Sequence, residues 1–327
     1  MAETLRRGAG PERRPPLILN ASGCLDALTA PAVARSLDAF VTKTVTPLPR
    51  GGNPPVRIAE TDVGLLNSIG LANLGIDAFL ERQLPRLGEL GVPLWVSVGG
   101  FAADGYAASC ARLEGRPEVE ALELNLSCPN VDGAAGTAAE IVLACRRVTA
   151  KPLYAKLSAA TWDLGETARA VEAAGADGLS LVNTLRGLAL DERTLQPRLG
   201  TALGGLSGPA LRPVALAAVY ACARVTTLPI VGMGGVARGR DALALLAAGA
   251  SRVALGTVLF GDPQAPARIR AELAEEAALL GFRTPAEAVG AAHGREDGRS
   301  ATLDQRLRSF PQNTCKLGTN EAVDRRS

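Results

Sequence analysis

Short apolar runs alternate with alanine- and leucine-rich stretches along almost the whole of this 327-residue chain. A short apolar run bounded by turn residues suits a buried parallel strand, and the stretches between the runs have helical spacing. The alternation predicts repeated βα units of an α/β fold. Eight such runs favour a closed TIM (β/α)8 barrel over an open sheet. The predicted strands are Leu17–Asn20, Phe40–Lys43, Leu94–Val98, Leu122–Leu126, Leu153–Leu157, Gly178–Val182, Pro229–Met233 and Arg252–Leu255.

Two of the predicted helices stop at a glycine, a common end of an α-helix. The first covers Gly165–Ala174 and is followed by Gly175, and the second covers Asp241–Ala248 and is followed by Gly249. A longer amphipathic helix is predicted over Ala265–Leu280.

Two connections, residues 44–75 and 184–208, are too long for ordinary barrel loops. They follow the second and the sixth predicted strand. Long insertions at the carboxyl ends of barrel strands usually build a site. We therefore predict site-building insertions at these two places.

The barrel is predicted to occupy residues 17–292. Residues 1–16 are basic and lack the apolar core of a secretory signal, which predicts a disordered lead-in. Residues 293–327 are polar and without periodicity, which predicts a disordered tail.

Charge and cysteine content narrow the functions open to the chain. Its 35 basic residues nearly cancel its 33 acidic ones, which gives no case for nucleic acid or an anionic membrane as partner. No apolar run approaches the ~20 residues that span a bilayer. The six cysteines form no CxxC pair, which favours a reducing cytoplasm. His293 is the single histidine, so Ser-His-Asp catalysis and histidine-rich metal sites are excluded, and no metal is expected.

One stretch, Leu122 to Asn130, places a thiol where barrels carry out their chemistry. The predicted strand breaks at Ser127-Cys128-Pro129-Asn130, because Pro129 cannot donate to a strand ladder. Cys128 then lies at the carboxyl end of a strand, at the start of a small-residue loop. Taken alone, it is either a reactive thiol or a small buried filler.

A glycine-rich segment at the seventh strand and a second one at the eighth predict a phosphate site. Backbone N–H groups can approach an anion closely at glycines, and the loops after strands seven and eight are the usual phosphate site of a barrel. A plain pair of tight turns is the alternative. The GxGxxG dinucleotide fingerprint is absent, so a mononucleotide such as FMN suits the pattern better. The residues concerned are Gly234, Gly235, Gly256 and Thr257.

Four asparagines and two lysines also fall at strand ends or in the insertions. An amide offers a donor and an acceptor side by side and can pair with adjacent N–H and C=O groups of a ligand. Asparagine is also an ordinary turn residue, and lysine an ordinary surface charge. These residues are Asn67, Asn125, Asn130, Asn183, Lys43 and Lys156.

The segment Leu124-Asn125-Leu126-Ser127-Cys128-Pro129-Asn130 resembles the catalytic loop of the class 1 dihydroorotate dehydrogenases, FMN enzymes of pyrimidine biosynthesis. Segments of the GNPxxR, NSxGL and GGxSG types in the two insertions add to the resemblance. It implies that Cys128 is the general base, which removes the C5 proton of dihydroorotate while C6 passes a hydride to N5 of the flavin. It also implies a substrate site and an FMN site. The substrate site comprises Lys43, Asn67, Ile69, Gly70, Leu71, Asn125, Asn130, Asn183 and Thr184, and the FMN site Ala21, Ser22, Lys43, Thr44, Asn125, Lys156, Val182, Gly208, Gly234, Gly235, Gly256 and Thr257.

The motifs divide on the electron acceptor. NASG, GLLNSIGL and WVSVGG resemble the single-chain, fumarate-linked branch, whereas SLVNT and GGLSGPALRP resemble the NAD-linked branch, which needs a separate electron-transfer subunit. We favour the fumarate type and expect a homodimer, as in class 1 relatives. Three alternatives stay open: another FMN barrel acting on a dihydropyrimidine, a flavin-free phosphate-binding lyase or isomerase, and a non-catalytic assembly subunit.

Overall fold

Eight parallel strands form a barrel in the computed structural model, which describes residues 17–126, 138–161 and 163–294. The predicted TIM-barrel fold is confirmed. The strands of the described residues are β1 (Leu17–Asn20), β2 (Phe40–Val41), β3 (Ile58–Thr61), β4 (Gly64–Asn67), β5 (Leu94–Val98), β6 (Val119–Asn125), β7 (Leu153–Leu157), β8 (Gly178–Leu181), β9 (Leu185–Leu188), β10 (Leu203–Ser207), β11 (Ile230–Met233) and β12 (Arg252–Leu255).

Helices follow most of the barrel strands. Those of the described residues are α1 (Pro31–Arg35), α2 (Gly75–Ala78), α3 (Leu84–Gly88), α4 (Ala103–Glu114), α5 (Ala138–Arg146), α6 (Leu164–Ala173), α7 (Arg212–Ala223), α8 (Gly239–Ala247), α9 (Val258–Gly261) and α10 (Ala265–Leu279). A π-helix (Phe79–Gln83) joins α2 to α3, and 3-10 turns lie at Pro209–Leu211, Pro285–Ala288 and Ala291–His293.

The barrel closes between its first two strands. The strands pair in the order β1-β12-β11-β8-β7-β6-β5-β2, and a parallel bridge between Leu19 and Ala39 joins the two ends. At this seam the Asn20 side chain replaces a strand neighbour. Its Nδ2 donates to the Val41 carbonyl oxygen at 2.7 Å, and its Oδ1 accepts from the Val41 N–H at 2.8 Å. The side chain thus continues the ladder where backbone pairing is short.

An apolar plug fills the lower half of the barrel. Alternate residues of a barrel strand face inward, and this inner set includes Leu19, Val41, Trp95, Tyr154 and Met233. The Trp95 and Tyr154 rings lie 4.3 Å apart between centroids. The larger apolar cluster lies outside the strands, against the helices. A ligand site is therefore expected above this plug, at the carboxyl ends of the strands.

Two helices begin earlier than predicted because of side-chain caps. α6 begins at Leu164, where the Asp163 carboxylate accepts from the Glu166 N–H at 2.8 Å. α8 begins at Gly239, because the Asp241 carboxylate accepts from the N–H groups of Ala237 and Arg238 just before it. Carboxylates at these positions satisfy N–H groups that no helical carbonyl can reach.

The two long insertions pair with each other in a four-stranded antiparallel sheet of order β3-β4-β10-β9. β3 and β4 form a hairpin from the first insertion, and β9 and β10 form one from the second. The two hairpins meet through β4 and β10, in a register that sets Asn67 opposite Gly205. This sheet stands at the carboxyl ends of the barrel strands.

His293 was predicted to begin the tail, but it packs against the barrel. Its ring stacks on Tyr220 with the centroids 4.3 Å apart, and its Nε2 lies 2.9 Å from the carbonyl oxygen of Ala248. Over the described part of the chain, no helix combines the length and the apolar character needed to cross a membrane. Cys128, Asn130, the predicted lead-in and the tail beyond Gly294 lie outside the described residues.

Candidate active site

A cavity of about 260 Å³ lies between the carboxyl ends of the barrel strands and the four-stranded sheet. All of the predicted site residues that the structure describes line it. From the barrel come Ala21, Ser22, Lys43, Asn125, Lys156, Val182, Asn183, Gly234, Gly235, Gly256 and Thr257, and from the insertions Thr44, Asn67, Ile69, Gly70, Leu71, Thr184 and Gly208.

The floor of the cavity carries a buried cation. Lys156, on the inner face of β7, is 5% exposed, and its Nζ donates to Ser22 Oγ at 2.9 Å. On the neighbouring strand β6, the Glu123 carboxylate lies 3.6 Å from the same Nζ atom. The ammonium group of Lys156 therefore lies in the cavity wall beside Ser22, with a carboxylate behind it.

A chain of side-chain hydrogen bonds crosses the strand ends above this floor. Asn183 Nδ2 donates to Asn125 Oδ1 at 3.0 Å, and Asn125 Nδ2 donates to Thr44 Oγ1 at 3.2 Å. Thr44 Oγ1 lies 3.0 Å from Ser97 Oγ at one end of the chain, and the Thr184 N–H donates to Asn183 Oδ1 at the other. These contacts fix which end of each amide is nitrogen. The two amides are therefore held in a fixed orientation beside the cavity.

The glycine-rich end of the cavity can admit an anion. Gly234 (φ +126°) and Gly235 (φ +75°) adopt conformations that side chains rarely allow. Gly256 has an ordinary φ, yet a Cβ there would have only Ala21 and Cys24 as neighbours, both at 3.9 Å. The space beside Gly256 therefore belongs to the cavity.

The insertion sheet supplies the opposite wall. Asn67 Nδ2 donates to the Gly205 carbonyl oxygen at 3.2 Å, across the β4–β10 pairing. Beyond Asn67 the chain bends sharply, with Gly70 at φ +70° and Leu71 at φ +57°. A positive φ is uncommon for leucine and marks a constrained turn. This turn places the Ile69–Leu71 backbone against the cavity.

Sequence reasoning missed the rim of the cavity. The Arg50 guanidinium stacks over the Phe101 ring at 4.5 Å and donates from Nε to the Gly70 carbonyl oxygen at 3.2 Å. Phe260, 55% exposed, also lines the opening. Aromatic residues make up only 3% of the chain. Phe101 and Phe260, which each follow a predicted strand, could therefore have been predicted to line the site.

The thiol of Cys24 lies in the cavity wall, and sequence reasoning missed it as well. Burial raises the pKa of the Cys24 thiol, and the ammonium groups of Lys156 and Lys43 only partly offset that effect. Cys24 therefore stays protonated near neutral pH and is a poor base. It resembles a packing residue more than a reactive one.

Comparison with known proteins identifies the family of the chain. The family model described as dihydroorotate dehydrogenase matches residues 12–277, most of the chain. The chain belongs to the dihydroorotate dehydrogenase family. Because its relatives include dihydroorotate dehydrogenase B subunits, which are class 1 enzymes, the predicted class 1 membership is confirmed.

Curated relatives of both acceptor types match the chain. The dihydroorotate dehydrogenase B (NAD(+)) catalytic subunit of Desulforudis audaxviator is 46% identical over 264 residues, 79% of this chain and 86% of the relative. The putative dihydroorotate dehydrogenase A (fumarate) of Solibacter usitatus is 42% identical over 262 residues, 78% of this chain and 86% of the relative. The NAD-type catalytic subunit of Listeria monocytogenes is 43% identical over 253 residues, 75% of this chain and 83% of the relative.

A solved dihydroorotate dehydrogenase shares the fold. The crystal structure of the Eimeria tenella enzyme in complex with ferulenol superposes with a TM-score of 0.72 and covers 85% of each chain. Sequence identity is 23%, so this likeness supports the barrel fold alone.

Proposed function

We propose that this chain oxidises dihydroorotate to orotate in pyrimidine biosynthesis, with FMN as the bound redox cofactor. The observation that carries the proposal is the joining of three features in one cavity. These are a glycine-rich anion end, a buried ammonium group and a directed row of amides. Family membership supplies the reaction class.

The described residues fit FMN. Gly256 leaves room for a phosphate, because a Cβ there would have no atom closer than 3.9 Å, and Gly234 and Gly235 line the same cavity. Lys156 and Ser22 would hold the pyrimidine end of the isoalloxazine ring, where reduction builds up negative charge. When bound, FMN supplies an acceptor for the hydride from C6 of the substrate.

The amides would hold the dihydropyrimidine. Asn125 and Asn183 are oriented by their mutual hydrogen bond, and Asn67 faces them from the insertion sheet. Paired donors and acceptors match the ring N–H and C=O groups of dihydroorotate. Lys43, also in the cavity wall, would face the substrate carboxylate. Asn130 is proposed as a further ligand by resemblance.

Cys128 is proposed as the base that removes the C5 proton, by resemblance to the class 1 catalytic loop. A free thiol has a pKa near ~8.5, so such a base needs help from neighbours near neutrality. Among the described residues that line the cavity, Cys24 is the one other thiol, and its raised pKa argues against that role.

The acceptor is proposed to be NAD, reached through a separate electron-transfer subunit, in place of the fumarate type favoured from the motifs. Support comes from the NAD-type names of several relatives at 41–46% identity. A homodimeric catalytic subunit in the cytoplasm completes the proposal.

The decisive experiment is anaerobic mixing of the purified chain with dihydroorotate. The protein is expected to be yellow, and its flavin absorbance is expected to decrease after mixing because dihydroorotate reduces the flavin. A colourless protein would favour the flavin-free lyase or non-catalytic alternatives. A yellow protein that dihydroorotate fails to bleach, but another dihydropyrimidine bleaches, would favour a different FMN barrel enzyme.

A further inference from the structure

Glu123 is a buried acid in the barrel that neither the cavity nor the proposed substrate contacts explain. Its side chain is on the inner face of β6, where its Cα partners are Ser97 on β5 and Tyr154 on β7. The residue is 1% exposed. Its Oε1 atom has no hydrogen-bond partner among the described residues. The Nζ atom of Lys156 lies 3.6 Å from Oε1.

An acid in this position is costly and needs a reason. Carboxylates are rarely buried unless they are paired, and an unsatisfied buried oxygen is unfavourable even when a cation is near. The inner face just below is apolar, with Ala121 on the same strand and the ring of Tyr154 beside it. An apolar side chain would continue that plug. The carboxylate therefore has a use other than packing.

Lys156 connects the carboxylate to the cavity. Its Nζ donates to Ser22 Oγ, which lines the cavity, while Glu123 lies on its other side. Glu123 itself is not part of the cavity wall. The carboxylate therefore lies behind Lys156 and does not itself line the space for a ligand.

We propose that Glu123 is a positioning residue that sets the redox potential of the bound flavin by holding Lys156 and offsetting part of its charge. The inference rests on the proposed FMN site. Lys156 favours the reduced flavin, since reduction adds negative charge near the ammonium group. The carboxylate acts in the opposite sense, because it repels that added charge and draws Nζ towards itself. The potential is the balance of the two buried groups.

The sign follows directly for Glu123→Gln, which keeps the size of the side chain and removes its charge. With the carboxylate gone, less of the positive charge of Lys156 is offset. The reduced flavin is then favoured more strongly, and the midpoint potential rises. A residue with a purely structural role would alter stability or flavin content and leave the potential of the retained flavin where it was.

The test is a spectroscopic redox titration of the flavin-loaded enzyme against reference dyes, for the wild type, Glu123→Gln and Ser180→Ala. Ser180 is a matched control: it is buried on the inner face of β8, is the Cα partner of Lys156, and its Oγ also lacks a partner among the described residues. We expect a higher potential in Glu123→Gln and no change in Ser180→Ala. An unchanged or lower potential in Glu123→Gln, or an equal rise in Ser180→Ala, would overturn the proposal.

Two further measurements keep the test sharp. If Glu123→Gln does not retain flavin, Glu123→Asp is titrated instead; its shorter side chain withdraws the charge from Nζ, so a smaller rise is required. In a double-mutant cycle with Lys156→Met, the effect of Glu123→Gln is expected to shrink, because the two residues act as a pair.

A wild-type protein purified without flavin would contradict the cofactor proposal. A yellow wild type with an unshifted variant would contradict only the role of Glu123.

Discussion

Asn183 donates a side-chain hydrogen bond to Asn125 at 3.0 Å, although the two residues are 58 positions apart in the chain. The contact links the end of β8 to the end of β6 across the intervening strand β7. Asn125 is held from a second side as well, because its carbonyl oxygen accepts from the Tyr106 hydroxyl at 2.7 Å. The two amides thus form one preorganised surface for a planar ligand.

Thr44→Val is expected to weaken orotate binding about tenfold. An unsatisfied buried donor costs ~1–3 kcal/mol, and ~1.4 kcal/mol corresponds to a tenfold change in the dissociation constant. Valine keeps the shape of threonine but removes the oxygen that accepts from Asn125 Nδ2. The measurement is the dissociation constant of orotate, followed through the flavin spectrum. Thr42→Val is the control: it removes a buried hydrogen bond to the Ser97 N–H, outside the cavity. Equal affinity losses in both variants would contradict the proposed role of the amide row.

Gly256→Val should yield protein with little flavin after desalting, because the new side chain occupies the space proposed for the phosphate. Gly261→Val is the matched control, since a Cβ at Gly261 has no atom within 4 Å and no positive φ. Gly235→Val is a poorer test, because Gly235 has a positive φ and a Cβ there would lie 2.8 Å from Arg212 Cβ. Full flavin occupancy in Gly256→Val would place the phosphate elsewhere.

Cys128→Ala is expected to keep bound flavin and to lose dihydroorotate-dependent flavin reduction by a factor on the order of 10²–10⁴. Stopped-flow bleaching of the flavin measures this directly. Cys24→Ala, the control, should change the rate little, because burial raises the pKa of the Cys24 thiol and keeps it protonated. If the rate falls in Cys24→Ala and is unchanged in Cys128→Ala, Cys24 would be the base and Cys128 would not.

The isolated chain is expected to reduce its flavin with dihydroorotate but not to pass the electrons to NAD. No dinucleotide fingerprint is present in its sequence, and the proposed type relies on a separate subunit. Steady-state turnover with NAD, fumarate and a quinone analogue would check this. Rapid NAD reduction by the chain alone would contradict it, and rapid fumarate reduction would restore the fumarate-type alternative.

Asn20→Ala should destabilise the barrel by ~2–4 kcal/mol while leaving the cavity chemistry intact. The side chain satisfies both backbone groups of Val41 at the seam, and each orphaned group costs ~1–3 kcal/mol. The urea midpoint of unfolding measures the loss. A variant as stable as the wild type would show that backbone pairing alone closes the barrel.

The barrel strands could be predicted because each is a short apolar run with turn residues at its ends. Leu17–Asn20, Leu94–Val98 and Leu153–Leu157 begin and end as predicted. The strands of the added sheet were missed, because Leu185–Leu188 and Leu203–Ser207 contain glycines and lack the β-branched and aromatic residues typical of strands. Their conformation comes from pairing with distant segments.

The membership of the cavity could be predicted from motifs, but the contacts within it could not. Nothing local relates Glu123 to Lys156, or Asn125 to Thr44, which lie 33 and 81 positions apart. Which amide donates to which depends on the order of strands around the barrel. Arg50 and Phe101 meet at the rim for the same reason: two separate loops end at one edge.

The pairing of β4 with β10 has a consequence for how such a site can be altered. The two strands come from insertions far apart in the chain, yet Leu66 and Leu206 are opposite each other in one register. A one-residue slip in a strand turns all of its side chains to the other face. An insertion transplanted from another barrel would therefore misalign the cavity wall unless its partner came with it. To keep the cavity wall aligned, the two insertions would have to be exchanged between enzymes together.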